Sequence, residues 1–382
     1  MSEPARTILL AWCAVGAAVL LVACTEPERD AARSLRSVLG SADGTPAGFA
    51  RADRIRDFVF PADHGPHPAY RSEWWYLTAV VSAAGTATQP AAREFGVQFT
   101  LFRQGFEARA GEIPVPNNGP EAWRTGQGYM AHVALSDITA RRHLAAERFS
   151  RGHPALAGAR AEPFRVYLDD WQLASTGGTF SPLRLTVNTA DFSADLLLTA
   201  KRPAILQGDG GLSRKGPGNA SYYYSVPRLE AQGELVVGGS SHAVNGLAWI
   251  DREWSTSVLG DAYQGWDWFA LHLDDGRDLM LYQLRRLDGQ TDAYNAGSLG
   301  NGAVSRTLTA GDFSLNPIKH WRGWPVAWQL VIRGAEPQQY VIRAAINDQV
   351  THTAVRYWEG VVHLEDDEGR RRGTGYMELT GY

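Results

Sequence analysis

Apolar residues follow two patterns along this chain. The first is one nearly unbroken run, residues 8–23, behind a short polar start that carries Arg6. A positive start followed by an apolar stretch of that length is the form of a secretory signal, and it is short for a membrane-spanning helix. From Phe58 onward the pattern changes to short alternating runs separated by Gly, Pro, Asn and Asp. Residues 94–101, 129–135, 164–168, 183–187 and 278–284 each put apolar side chains on one face, which is the period of a strand. The last of these follows a tight turn at Asp275-Gly276. Closely spaced strands with turns, rich in Trp and Tyr, predict an all-β protein of sandwiches or barrels. Only residues 131–149 offer room for a helical turn or two.

A weak internal repeat refines this picture. Trp74-Trp75-Tyr76-Leu77-Thr78 opens an apolar strand, and Gln98-Phe99-Thr100-Leu101-Phe102-Arg103 closes a later one. In the second half Trp266-Asp267-Trp268-Phe269-Ala270-Leu271 opens a strand, and Met280-Leu281-Tyr282-Gln283-Leu284-Arg285 closes the next. In each copy an aromatic pair starts a hairpin and an arginine follows its apolar end. Coincidence among aromatic strands explains the repeat about as well as duplication does. Taken as duplication, it predicts two similar sheets or barrels with a boundary near residues 227–232. The expected division is a signal over 1–23, a tether over 24–50, one domain over 51–230 and a second over 231–382.

The end of the first apolar run carries chemistry. Leu21-Val22-Ala23-Cys24 matches the lipobox of bacterial lipoproteins, in which the cysteine sulfur takes a diacylglyceryl group and becomes the new N-terminus. Several acyl chains anchor stably where one binds only marginally. Thr25 is non-acidic, which suits the outer membrane. A lipid-anchored protein of the cell envelope, on the periplasmic face of that membrane, is therefore expected. The only other cysteine, Cys13, leaves with the signal, so disulfides and thiolate chemistry are not available to the body. The mature length, 382 − 23 = 359 residues, suffices for two cores. A net charge of −4, with no basic run beyond Arg370-Arg371-Arg372, argues against nucleic acid as a partner.

Several blocks together resemble one family. They are Ser72-Glu73-Trp74-Trp75-Tyr76-Leu77-Thr78, Phe95-Gly96-Val97-Gln98-Phe99-Thr100-Leu101-Phe102-Arg103, Ala131-His132-Val133-Ala134-Leu135-Ser136-Asp137 and Glu147-Arg148-Phe149-Ser150-Arg151. Further along come Gly211-Leu212-Ser213-Arg214-Lys215-Gly216, Tyr222-Tyr223-Tyr224-Ser225, Gly246-Leu247-Ala248-Trp249-Ile250-Asp251-Arg252-Glu253-Trp254 and Gln264-Gly265-Trp266-Asp267-Trp268-Phe269. The set is similar to the lipocalin-like family of carotenoid 1,2-hydratases and of the attachment-type component encoded beside bacterial ABC transporters. The resemblance runs from about Asp57 to the end. It implies two tandem calycin-type antiparallel β-barrels with few short helices. The blocks around Asp251 and Asp267 look closer to the transporter-associated branch.

Candidate acids cluster among tryptophans in the second half. Asp251 and Glu253 are two apart and share one strand face, whereas Asp267 lies between Trp266 and Trp268 and faces away from both. These three are the candidate catalytic groups. Trp249, Trp254, Trp266, Trp268, Tyr222, Tyr224 and His272 are the candidate ligand-binding residues. A carboxyl turned into an aromatic-lined interior loses hydration and keeps its proton at neutral pH. It can then protonate the less substituted carbon of an alkene. Indole and phenol faces stabilise the tertiary cation, and water attacks it with general-base assistance. No metal, flavin or nucleotide is needed. The same acids could instead pair with Arg252, Arg285 or Arg286 as scaffolding. For Glu73 and Arg103 a structural ion pair across the hairpin is favoured, and for His132 a hydrogen-bonded core histidine.

Other motifs exclude chemistry. The glycine-rich stretch 208–218 lacks the strand–loop–helix frame of a phosphate cradle, and it reads as a loop at the domain junction or at the mouth of a ligand site. His64-Gly65-Pro66-His67 has no third ligand spaced nearby, so no metal is expected. No G-x-S-x-G is present to make a nucleophile elbow.

Two functions stand as expectations. The first, which leads, is an anchored binding protein for an extended hydrophobic molecule, isoprenoid or lipid, exchanged with an ABC-type permease. The second is a cofactor-independent hydro-lyase that adds water to an isoprenoid double bond, as the family's hydratases do.

Overall fold

The computed structural model describes residues 48–84, 92–108, 126–256, 259–302 and 304–382. The expected signal, Cys24 and nearly all of the expected tether lie outside the described residues. Within them the chain is almost entirely strand, apart from one 3-10 turn at Ala62–His64.

Two antiparallel sheets divide the strands. The first sheet begins with β1 (Ser72–Ala83), β2 (Arg93–Gly105), β3 (Gln127–Asp137), β4 (Arg142–Arg151), β5 (Ala157–Arg160), β6 (Arg165–Leu168) and β7 (Trp171–Ser175). It continues with β8 (Leu183–Asn188), β9 (Phe192–Ala200), β10 (Ile205–Leu206), β11 (Leu212–Arg214), β12 (Ala220–Val237) and β13 (Ser240–Ser255). Their spatial order is β4-β3-β2-β1-β13-β12-β9-β8-β7-β6-β5, with β10 and β11 added beside β12. β6 packs back against β2, β3 and β4, so this sheet curls into a barrel.

The second sheet starts with β14 (Tyr263–Leu273), β15 (Asp278–Arg286), β16 (Ala296–Gly300), β17 (Ser305–Thr309) and β18 (Phe313–Trp321). It ends with β19 (Trp324–Ile332), β20 (Gln338–Ala344), β21 (Val350–His352), β22 (Arg356–Glu365) and β23 (Arg371–Leu379). Ordered β17-β16-β15-β14-β23-β22-β20-β19-β18, with β21 beside β22, it forms a half-barrel.

The alternation in the sequence explains the layers. On β8, Leu183, Leu185 and Val187 are buried while Arg184 and Asn188 are exposed, as in a strand with one wet face. β1 is instead buried along almost its whole length on both faces. Trp75, Leu77, Ala79 and Val81 join the barrel interior, whereas Tyr76 and Val80 join a second apolar cluster with residues of the other sheet. β1 and β2 lie against β23 and β22, and this seam is the third layer of packing. Leu77, with no exposure, shows what the barrel core contributes. Truncating a leucine so placed to alanine costs about 2–5 kcal/mol.

The repeated hairpins form as expected, β1 with β2 and β14 with β15. The change of sheet, however, falls between Ser255 and Tyr263 rather than at residues 227–232. β12 runs through that expected boundary, and β13 pairs with both β1 and β12, so both belong to the first sheet. Pro227, which lacks an N–H, sits at a bulge in β12 instead of in a linker. The stretch 131–149 holds no helical turn: it is β3 and β4, joined by a turn in which Arg141 adopts a φ of 54°. β3 carries the strand period expected over 129–135, although it is buried on both faces.

Candidate active site in the seam between the sheets

A recess opens where β1, β2, β12 and β13 face β14, β15 and β23. Trp74, Tyr76, Phe102, Trp266, Trp268 and Tyr282 form its apolar walls, and Asp251, Glu253, Glu378, Tyr223 and Lys215 bring polar groups to it. Its interior volume is about 60 Å³. That is room for a few waters or for the end of a ligand.

Strand alternation selects which side chains enter. Along β13, Ile250 and Trp254 point into the barrel while Trp249 faces the seam with Asp251 and Glu253. Asp251 is 3% exposed and receives three donors. The Tyr223 hydroxyl lies 2.6 Å from Oδ2, and the Ser225 hydroxyl and Trp249 indole N–H lie 2.5 and 2.7 Å from Oδ1. The Trp268 indole donates to the Tyr223 oxygen at 3.1 Å and so turns that hydroxyl's proton towards Asp251. Burial raises the pKa of Asp251, the three donors pull it back, and nearby Glu253 pushes it up; the balance stands at about 7.

Glu378 enters from β23. The Trp266 indole donates to its Oε1 at 2.8 Å. Burial raises its pKa, the Trp266 donor lowers it, Asp251 and Glu253 raise it, and it also settles at about 7. Lys215, brought in just after β11, stands 3.4 Å from Glu253 and 3.9 Å from the centre of the Tyr282 ring. Burial opposes its charge, but Glu253 and Tyr282 outweigh that and raise its pKa. The glycine-rich stretch thus contributes to the mouth of the recess.

Of the residues singled out from sequence, Asp251, Glu253, Trp266 and Trp268 line the recess, and Trp249 holds Asp251 from the side. Tyr222, Tyr224 and Trp254 have the other parity and belong to the barrel interior. There Trp254 stacks on His67 at 3.8 Å, Tyr222 donates to the Arg54 carbonyl at 2.9 Å, and the Tyr224 hydroxyl meets Nδ1 of His64 at 2.6 Å. Asp267 is fully buried outside the recess, bound to Arg285, to Gln283 at 2.9 Å and to Tyr382 at 2.8 Å. It follows the scaffolding alternative. His272 donates from Nε2 to the Pro227 carbonyl at 2.7 Å and does not line the recess.

Glu73 pairs with Arg103 across the first hairpin, as expected, and also with Arg252. Burial opposes its charge, yet the two guanidiniums hold its pKa well below the usual range. Among the described residues no cluster of His, Cys, Asp or Glu is arranged to hold a metal. Tyr223, Ser225, Lys215, Tyr76 and Glu378 were not picked out as site residues. Glu378 did leave a signal, a lone carboxylate inside the apolar run Tyr376-Met377-Glu378-Leu379.

The AttH-like family model matches residues 51–382. The chain belongs to the AttH-like family. A provisional AttH from Nitrosomonas europaea is 34% identical to this AttH-like chain at a TM-score of 0.73, covering 87% of it and 100% of the other. Kievitone hydratase from Nectria haematococca superposes with a TM-score of 0.62 at 15% identity, over 87% of this chain and 95% of that one. CghA with Sch210972 gives a TM-score of 0.52 at 11% identity, over 89% and 96%. The last two likenesses show a shared fold. No curated protein matches the sequence.

Proposed function

We propose that this AttH-like protein is a cofactor-independent hydro-lyase that adds water to a carbon–carbon double bond at the end of an isoprenoid-type molecule. The observation that supports this reading is a pair of carboxyls, Asp251 and Glu378, poised at about 7 in a recess walled by aromatic rings. Groups with such values give and take protons readily at neutral pH. Glu378, restrained by a single indole donor, is the acid. Its proton passes to the less substituted alkene carbon, the π electrons form the new C–H bond, and the positive charge develops on the tertiary carbon facing the Trp74, Phe102 and Trp268 rings. Asp251, whose three donors favour its charged form, is the base. It takes a proton from the water whose oxygen closes the C–O bond, and the sum is alkene plus water to tertiary alcohol.

The hydratase that shares this fold in Nectria haematococca supports the choice of chemistry. The lipobox at Cys24 favours a second element of the reading: the body works tethered to the envelope, where apolar molecules partition. From that position a bound isoprenoid or lipid could also be handed to an ABC-type permease, which is the binding role alone.

The test is incubation of the mature protein with lycopene in oxygen-18-labelled deuterium oxide. The expected product carries one deuterium next to a tertiary carbon bearing the labelled hydroxyl, and it disappears with Asp251→Asn or Glu378→Gln. Unchanged lycopene, together with a lipid that co-purifies in mass spectrometry, would replace the enzyme with the binding role.

A further inference from the structure

A line of buried polar groups leads from the recess to the surface. Glu359 on β22 is the register partner of Glu378 on β23, so the two carboxyls stand side by side. Like charges that close do not readily coexist. Glu359 is 1% exposed. Tyr76, a wall of the recess, donates to its Oε1, and its Oε2 has no hydrogen-bond partner among the described residues. Tyr357 lies two residues back along β22, on the same face, and its hydroxyl interacts with Glu359. The same hydroxyl is 2.8 Å from Nδ1 of His132 on β3. His132 is also 1% exposed; its Nε2 has no hydrogen-bond partner among the described residues and stands 3.8 Å from Oε2 of Glu147 on β4. Glu147 reaches solvent, with its side chain 26% exposed, and the Ala354 amide holds it at 2.9 and 3.0 Å.

We infer that Glu359, Tyr357 and His132 form a proton relay that reloads Glu378 from solvent through Glu147 after each turnover. The inference rests on the hydration reading. One turnover leaves Glu378 without its proton and Asp251 with one to return to water. Glu359 gives its proton to Glu378, Tyr357 gives one to Glu359, and His132 gives its Nδ1 proton to Tyr357. Nε2 of His132 then takes a proton delivered at Glu147, which leaves the ring as the opposite tautomer, and a turn of the imidazole restores the Nδ1 proton before the next cycle. Imidazole suits the turning point because it accepts at one nitrogen and donates from the other. Burial holds His132 uncharged, with a pKa near 4, so it passes a proton on rather than storing one. The relay follows from the order of the groups, each beside the next from Glu378 through Glu359, Tyr357 and His132 to Glu147.

The test compares first and later turnovers in His132→Ala and Tyr357→Phe by rapid quench. The first turnover should keep its rate, because Glu378 starts loaded, while steady-state turnover falls about tenfold or more. Imidazole in the buffer should restore His132→Ala. A second readout needs no turnover: infrared spectroscopy follows hydrogen–deuterium exchange of the buried carboxylic acid, assigned through Glu359→Gln. The same variants should slow that exchange about tenfold. Unchanged steady-state rates with unchanged exchange would overturn the relay. An equal loss in first and later turnovers, without slowed exchange, would show a structural role and overturn it as well. If the native protein leaves lycopene untouched, the hydration reading fails, and the exchange data still decide whether Glu359 is connected to solvent.

Discussion

Adjacent residues on β13 meet buried charge in opposite ways. On the barrel side Arg252 joins Arg103 around Glu73, three charged groups each at most 2% exposed. On the seam side Asp251 is almost as buried, yet among the described residues only neutral donors touch it. Both surroundings are rich in tryptophan, with Trp75 3.9 Å beneath the Arg252 guanidinium and Trp249 and Trp268 around Asp251 and its tyrosine. Aromatic company therefore does not set the charge state. Between these two carboxyls the difference is that two guanidiniums face Glu73 and none faces Asp251 among the described residues. Glu73 stays ionised and can only hold the barrel end together, whereas Asp251 sits between its two protonation states and can act.

Substitutions at the acids challenge this contrast most severely. Asp251→Asn or Glu378→Gln should lower the hydration rate by about 10²–10⁴-fold while circular dichroism shows an intact fold. On the other side, Glu73→Gln leaves two buried guanidiniums uncompensated. It should lower stability by about 3–5 kcal/mol in thermal or urea unfolding, with the remaining folded protein still active.

A smaller effect tests the sign. Asp251 has a folded pKa of about 7 against 3.8 for the free group, so its contribution to stability is complete below 3.8 and is lost as pH rises through 7. Asparagine does not ionise. Asp251→Asn should therefore be more stable than the parent above pH 7, by about 2 kcal/mol, and the gain should vanish towards pH 4. Glu73 has the opposite sign: its stabilisation is present above the free carboxyl value and is lost on acidification. An Asp251→Asn protein that unfolds more easily at pH 8 would break the comparison.

The tyrosines give the finest resolution. Tyr223→Phe removes a donor from Asp251 and should slow hydration about tenfold. Tyr222→Phe loses its bonds to the Arg54 carbonyl and the Tyr70 hydroxyl, about 1–2 kcal/mol of stability, and should leave the rate alone.

These neighbours also mark how far the sequence could be read. Strand character and the two curled sheets were legible because alternation, turns and aromatic spacing are local. Asp251 and Glu253 were legible as a pair because residues two apart must share a face. Which face that would be was not legible, since β1, β12 and β13 are buried on both sides where they meet the seam. The same ambiguity favoured Tyr222 and Tyr224 over Tyr223, and placed Trp254 at a site it turns away from. Asp267 shows the converse case, because the arginine that claims it lies across a hairpin, at a register no single strand discloses. Glu378 stands more than a hundred residues from Asp251 in the chain, and only the pairing of β14 with β23 brings them to one recess. The sheet boundary was misplaced for a related reason: a hairpin that closes the first barrel reads locally like the start of a second.

The most direct measurement is a carbon-13 NMR titration of the native protein labelled at the Asp and Glu side-chain carboxyls. Two carboxyls should titrate near pH 7, one vanishing in Asp251→Asn and the other in Glu378→Gln, while Glu73 stays ionised down to the lowest pH at which the fold survives. Carboxyl signals at Asp251 and Glu378 that both titrate near pH 4, like those of exposed side chains, would contradict the account.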